Sequence, residues 1–359
     1  MATEPIETVT MQGPACPLPL KHDEQIVMGH GSGGRMTHDL VKKIFQPFFS
    51  NPALDSGNDF ASLPSQNGRL SISTDAHIVQ PLFFSGGDIG RLAVCGTVND
   101  IAMSGAKPQY LTAGFILEEG LSFDVLQRVV SSMQAAAAEA GISIVAGDTK
   151  VVEKGKADGL FITTAGVGFI EDGVKIGGEM AQPGDVVIIS GTIGDHGIAV
   201  LNARGELGFE AEIASDVCPL NHLIDEVLAA APHTHVLRDP TRGGLATSLN
   251  EIALQSKVNI LLDEKLIPVQ KVVQTICDML GFDPMYVANE GKVIIILPEA
   301  EVADAMQALK NNPYGKNAVC IGKVEAAAQN NTGRVLMRTT IGGTRIVDML
   351  SGEILPRIC

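Results

Sequence analysis

Apolar residues fall along this chain in two rhythms, short runs that a strand would bury and stripes at helical spacing, and the two alternate from residue 70 onward. Residues 70–74 predict a strand closed by Asp75. Gly86-Gly87-Asp88 then opens a helix whose apolar positions include Leu92, Val94, Cys95, Val98, Ile101 and Met103. Asp88 is placed to cap it, and Gly105 with Pro108 beyond mark its end. A strand over 111–117, a helix over 123–140 stopped by Gly141, and strands over 142–146 and 160–170 follow. Gly147-Asp148-Thr149-Lys150 comes at the carboxyl end of the 142–146 strand.

Pro183-Gly184-Asp185 marks a change, and the same alternation resumes after it. Strands are predicted over 186–190, 258–262 and 293–297 and near Val319 and Val335. Helices are predicted over 222–230, 269–280 and 299–310, and after the glycine-containing turns 191–197 and 239–244. This is an α/β class with mixed sheets. It divides into a leader over 1–24, domains over 25–175 and 176–349, and a tail over 350–359. Four prolines and no periodicity mark the first 21 residues as flexible.

Composition changes this picture in four places. A length of 359 residues fits about two domains. The net charge of −15 argues against nucleic acid and against an anionic membrane as partners. No signal peptide and no apolar run of about 18 residues is seen, so a cytoplasmic location is expected. The six cysteines form no CxxC pair, which excludes a zinc site and a dense disulfide framework. Cys95, Cys277 and Cys320 read as small buried hydrophobes.

Candidate chemistry gathers in a few stretches. Gly31-Ser32-Gly33-Gly34 precedes a helical pattern, which is the shape of a phosphate cradle but lacks a Walker ending. Asp75 and Asp148 each follow an apolar strand, and Asn99-Asp100 interrupts an apolar helix. One such carboxylate reads as a turn or helix cap. The three together read as a site whose hard oxygens suit Mg²⁺. Lys150 is either a solvated lysine or part of that site. Glu290, in Asn289-Glu290-Gly291, is either a turn residue or a base. His30, His77 and His196 lack metal spacing and read as supporting residues. The chain ends on Cys359, which reads either as a frayed terminus or as the carrier of a covalent group. Pro356 should keep this end from folding back into a sheet.

Taken together, the motifs resemble the HypE family of hydrogenase maturation proteins, within the ATP-binding superfamily of aminoimidazole ribonucleotide synthetase and selenophosphate synthetase. They are Gly29-His30-Gly31-Ser32-Gly33-Gly34, Ser73-Thr74-Asp75-Ala76-His77, Gly86-Gly87-Asp88-Ile89-Gly90, Gly96-Thr97-Val98-Asn99-Asp100-Ile101-Ala102 and Ala146-Gly147-Asp148-Thr149-Lys150. Gly194-Asp195-His196-Gly197, Asp239-Pro240-Thr241-Arg242-Gly243-Gly244, Asn289-Glu290-Gly291 and Pro356-Arg357-Ile358-Cys359 complete them. The match covers all but the leader.

The resemblance implies a two-domain aminoimidazole ribonucleotide synthetase-like fold with a flexible tail, acting as a homodimer paired through the first domains. It implies ATP-dependent dehydration of an S-carbamoyl group on Cys359 to a thiocyanate, the source of cyanide for nickel–iron hydrogenases. Gly31, Ser32, Gly33, Gly34, Asp75, Asn99, Asp100, Asp148 and Thr149 would hold ATP. Asp75, Asp100 and Asp148 would hold Mg²⁺. Lys150 would stabilise charge and Glu290 would accept a proton. The implied partners are the carbamoyltransferase HypF and the HypC–HypD scaffold. Two other readings stay open: a superfamily enzyme acting on a free small molecule, and a non-catalytic ATP-binding assembly factor.

Overall fold

The computed structural model describes residues 24–349, apart from 57, 59, 206, 208–210 and 328–332, together with Gly352, Leu355, Arg357 and Ile358. The leader, except Glu24, and Cys359 lie outside the described residues. Two short helices, α1 (Arg35–Leu40) and α2 (Gln46–Phe49), flank a π-helical turn over Val41–Phe45. After them come β1 (Arg69–His77), a small hairpin of β2 (Phe83–Phe84) and β3 (Gly87–Asp88), and α3 (Ile89–Met103). Then follow β4 (Ala106–Glu118), α4 (Phe123–Ala140), β5 (Ser143–Val152) and β6 (Leu160–Ile170). The four long strands form a sheet in the order β1-β6-β4-β5, with only β4 and β5 parallel.

Local chemistry explains the helices. The Asp88 carboxylate accepts from the N–H groups of Gly90 and Arg91 at 2.7 and 3.1 Å, which starts α3 as expected. Ser122 caps α4, and Gly141 ends it in the left-handed region at φ 71°. β4 begins five residues earlier than the hydrophobic run predicts and passes through Pro108. A register shift between Pro108 and Tyr110 absorbs the missing N–H. Asp75 and Gly147-Asp148-Thr149-Lys150, expected at strand ends, lie inside β1 and β5. Asp148, Thr149 and Lys150 pair in register with Gly114, Phe115 and Ile116 of β4, so this glycine-led stretch is held flat in the sheet.

The second half contains β7 (Val186–Ile189), α5 (Asp195–Ala203), α6 (Asn221–Ala230), β8 (Val236–Arg238), α7 (Gly244–Ser256) and β9 (Val258–Asp263). It continues with α8 (Lys271–Leu280), β10 (Ile294–Leu297), α9 (Val302–Asn311), β11 (Val319–Ala326), β12 (Arg334–Arg338) and β13 (Thr344–Val347). Its sheet runs β13-β12-β9-β11-β7-β10-β8, with a single parallel pair, β9 and β12. The α/β class with mixed sheets is therefore what the chain adopts. The halves share apolar packing: Ile198, Leu201 and Val287 join one cluster with Leu92, Val94 and Val129. Helix α3 is buried on nearly all sides, so it reads apolar all round and carries polar groups where it faces the second half. Cys95, Cys218 and Cys277 are buried free thiols, while Cys320 is only half-buried, at the sheet surface.

Candidate active site

Gly96 permits the first half of the site. A Cβ there would stand 3.0 Å from His77 Cε1 and 3.4 Å from Asp75 Oδ2, so only glycine lets β1 side chains come this close to α3. One turn further along α3, Asp100 Oδ2 accepts from Ser73 Oγ at 2.7 Å. Asp75 and Asp100 are near neighbours. Burial, and for Asp100 also the Asp75 charge, raises both above the usual carboxylate range against the pull of Arg242. Asp239, at the end of β8, is pushed up to about 7 by burial and then by Asp100. Glu290 is buried and held well above the ordinary range by desolvation, Asp239, Asp216, Asp75 and Asp100. Its Oε1 has no hydrogen-bond partner. A cavity of about 500 Å³ opens beside Asp100 and Asp239, with Ser73, Arg242 and Thr247 also in its wall. His77 packs beneath, its pKa lowered by burial to about 4, and it stays neutral.

Such a cluster has more negative charge than its arginines offset, and two carboxylates beside a phosphate are what Mg²⁺ usually takes. The donor chemistry fits that ion. Even so, no three His, Cys, Asp or Glu side chains among the described residues come together closely enough to hold a metal.

Asp148 is the reason. Across the sheet Asp75 pairs with Thr164, Thr164 with Ala113, and Ala113 with Gly147. Three strand spacings of about 4.8 Å put roughly 14 Å between the two edges. Asp148, one residue past Gly147, also points to the opposite face. Within one chain the structure thus joins Asp75 and Asp100 and leaves Asp148 apart, contrary to the expectation of three converging carboxylates. Asp148 instead meets Lys150 at 2.7 Å on an exposed surface, which lowers its pKa. Beside them lies the glycine-rich stretch, with Gly31 tight against β5; a Cβ on it would sit 2.5 Å from Val151 N. Gly33 takes φ 78°, Ser32 Oγ donates to Gly29 O, and Gly34 precedes α1. An apolar cavity of about 360 Å³ opens here, with Val41, Phe45, Phe49, Phe115 and Ile144 in its wall and Asp148 and Thr149 at its edge.

Asn99, expected to touch nucleotide, is placed otherwise. Its Nδ2 donates to Cys218 O at 3.0 Å and Glu290 O at 3.3 Å, and its Oδ1 accepts from Leu220 N at 2.8 Å. It ties α3 to the second half. Asn99→Ala should lower stability by about 3 kcal/mol, because three buried backbone groups lose their partner. A denaturant midpoint equal to that of the parent chain would contradict this.

The described residues of the tail touch the body of the chain. Ile358 bridges to Val79 and is buried, and the Arg357 carbonyl accepts from Gln80 N at 3.3 Å. Pro356, expected to keep this end out of a sheet, lies outside the described residues. His196, Asp239 and Arg242 lie within motifs visible in the sequence, yet their roles depend on contacts more than 100 residues away. No local signal carries that.

Two mixed sheets around a shared buried helix, with carboxyls gathered at their junction, define an AIR synthase related protein. Family models agree: AIR synthase related protein, N-terminal domain, matches residues 57–170, and the C-terminal domain matches 182–332. The carbamoyl dehydratase HypE of Cupriavidus necator is 52% identical over 336 residues, covering 93% of this chain and 95% of that protein. A crystal structure of the hydrogenase maturation protein HypE in complex with ATP superposes with a TM-score of 0.89 at 48% identity, covering 93% of this chain and 99% of that one. HypE in a HypE–HypF complex superposes at 0.76 and 47%, covering 87% and 99%. The chain belongs to the HypE family of carbamoyl dehydratases.

Proposed function

We propose that this chain uses ATP to dehydrate an S-carbamoyl group on its own Cys359, giving a thiocyanate. The observation that carries the reading is the tail itself: its last described residue, Ile358, is seated against His196, next to the segment that holds Glu290. The γ-phosphoryl passes to the carbamoyl oxygen, which turns a poor leaving group into phosphate. The C–O bond then breaks as both N–H protons leave, and a carbon–nitrogen triple bond remains. ADP and inorganic phosphate are the other products.

The first step needs positioning and charge neutralisation rather than covalent help. The apolar cavity beside Phe45 and Phe115 suits adenine. Gly31, Ser32, Gly33 and Gly34 cover the phosphates, with Thr149 on the same strand as Asp148. Asp75, Asp100 and Asp148 would hold Mg²⁺, which neutralises phosphate charge when bound. Arg242 and Lys150 add positive charge. Glu290 accepts an N–H proton; its buried Oε1 has no other hydrogen-bond partner and is left to face the substrate.

The outward face of the four-stranded sheet supports a homodimer. Leu70, Ile72 and Ile116 are 55%, 66% and 40% exposed there, on the face that also carries Asp148 and Lys150. Two copies pairing through this face, with the β1 edge of one beside the β5 edge of the other, would complete each site, one supplying Asp75 and Asp100 and the other Asp148 and Lys150. HypF loads Cys359, and HypC–HypD receives the cyano group. No helix among the described residues is long and apolar enough to cross a membrane.

Mass analysis of the C-terminal peptide tests the reading. After incubation with HypF, carbamoyl phosphate and Mg-ATP, the carbamoylated peptide should lose the mass of one water, with one ADP formed per tail. Cys359→Ala should bind ATP and form no product. A carbamoyl mass that persists while ATP is consumed at the tail would refute dehydration.

A further inference from the structure

We infer that His196 and Arg204 form a backbone dock that positions the tail for dehydration, with His196 as a latch on the Ile358 carbonyl. The inference rests on the function proposed above. His196 is completely buried in α5, with Nε2 2.5 Å from Ile358 O and Nδ1 2.8 Å from Ser215 Oγ. A carbonyl can only accept, so Nε2 carries the hydrogen. The neutral ring then accepts at Nδ1 from the Ser215 hydroxyl. Ser215 Oγ in turn accepts from Val217 N at 3.1 Å, and Phe84 packs edge-on to the ring at 5.5 Å. Every one of these supports belongs to the folded body, so the ring is aimed before the tail arrives.

Arg204, just after α5, makes the second contact. Its Nη2 donates to Arg357 O at 2.8 Å and its Nε to Gln80 O at 2.9 Å. The Arg357 side chain pairs with Asp158 at 2.7 Å. Two consecutive carbonyls are thereby fixed, and the second belongs to the residue directly before Cys359, whose thiol carries the substrate. The same segment sets the candidate base: Asp216, adjacent to Ser215, accepts from Glu290 N at 3.1 Å through Oδ1. Tail latch and proton acceptor therefore hang from neighbouring residues, which fixes one relative to the other.

The docked state also carries a built-in cost. Arg357 sits at φ 54°, a left-handed backbone that a non-glycine residue adopts only when its surroundings enforce it. A tail held this way is released once the contacts break, as it must be if HypF is to reach the thiol.

The Arg357–Ile358 bond is a trypsin site, and this gives the dock a readout independent of activity. In the full-length chain, Arg204→Ala and His196→Ala should speed release of the Ile358-Cys359 dipeptide several-fold, with cleavage elsewhere unchanged. His196→Gln, which keeps an N–H donor, should stay closer to the parent. With tails preloaded with carbamoyl, single-turnover formation of thiocyanate should fall on the order of tenfold or more in Arg204→Ala, at unaltered ATP affinity. If His196→Ala does not fold, Arg204→Ala, whose side chain is only half-buried, decides alone. Parental cleavage and turnover in a folded Arg204→Ala would overturn the dock. Failure of the parent chain to dehydrate at all would overturn the function instead, and the cleavage result would still stand.

Discussion

Co-expressed Asp100→Ala and Asp148→Ala chains should show activity that neither variant has alone. In the proposed shared arrangement each single variant loses a carboxylate from both sites of its dimer, and with it transition-state charge neutralisation. Its turnover should drop on the order of a hundredfold or more. Random pairing makes half of the dimers mixed. In a mixed dimer one site carries both lesions and the other carries none. About a quarter of parental activity should therefore return. ADP release driven by carbamoylated tails, measured on dimers carrying two different affinity tags, reads this directly. A mixture as inactive as its components would place Asp100 and Asp148 in one chain's site and remove the shared arrangement.

The geometry behind this expectation is the sheet order. β1 and β5 are the two outer strands, so Asp75 and Asp148 cannot meet in one copy without crossing β6 and β4. The apolar face that carries Asp148 would otherwise leave Ile72 66% exposed, an unusual fate for a large aliphatic strand residue flanked by Leu70.

What the sequence made legible was mostly local. Asp88 as a cap, Gly141 as a stop and the alternation of elements depend on neighbours within a few residues, and single-chain patterns carry that information. Asn99 and Asp100 show the limit. Both are polar residues in an apolar helix, and nothing local separates them. A helix turns about 100° per residue, so the two side chains face different surroundings. Asp100 meets Ser73 and a cavity, whereas Asn99 meets the backbone of Cys218, Leu220 and Glu290. Likewise Asp239 looks like an ordinary turn residue in Asp-Pro-Thr-Arg, and only the approach of α3 makes it part of the acidic group. The tail's seat on Val79 and His196 is longer in range still.

That acidic group should make the metal-free protein less stable at pH 8 than at pH 5, and Asp239→Asn should weaken the effect. Asp239 has its pKa raised from 3.8 to about 7 on folding, so the folded state holds the proton more tightly than the unfolded chain does. Below about pH 4 the group is protonated in both states and costs nothing. As pH rises from 4 to 7 the folded state must either keep a proton the unfolded chain has released or ionise unfavourably, and above 7 the penalty is complete. Three pH units correspond to about 4 kcal/mol. Asp75, Asp100 and Glu290 shift in the same direction and add to it. Thermal melts in chelator should thus fall between pH 5 and 8. Mg-ATP should raise the melting temperature more at pH 8, where the carboxylates are ionised and free of protons to displace. Asp239→Asn removes the charge while keeping the shape, so it should stabilise the metal-free protein at pH 8 by roughly 1–4 kcal/mol. It should also flatten the pH dependence and lose most of the extra stabilisation by Mg-ATP. A variant that melts below the parent at pH 8 in chelator would show that the ionised carboxylate is already compensated within the single chain.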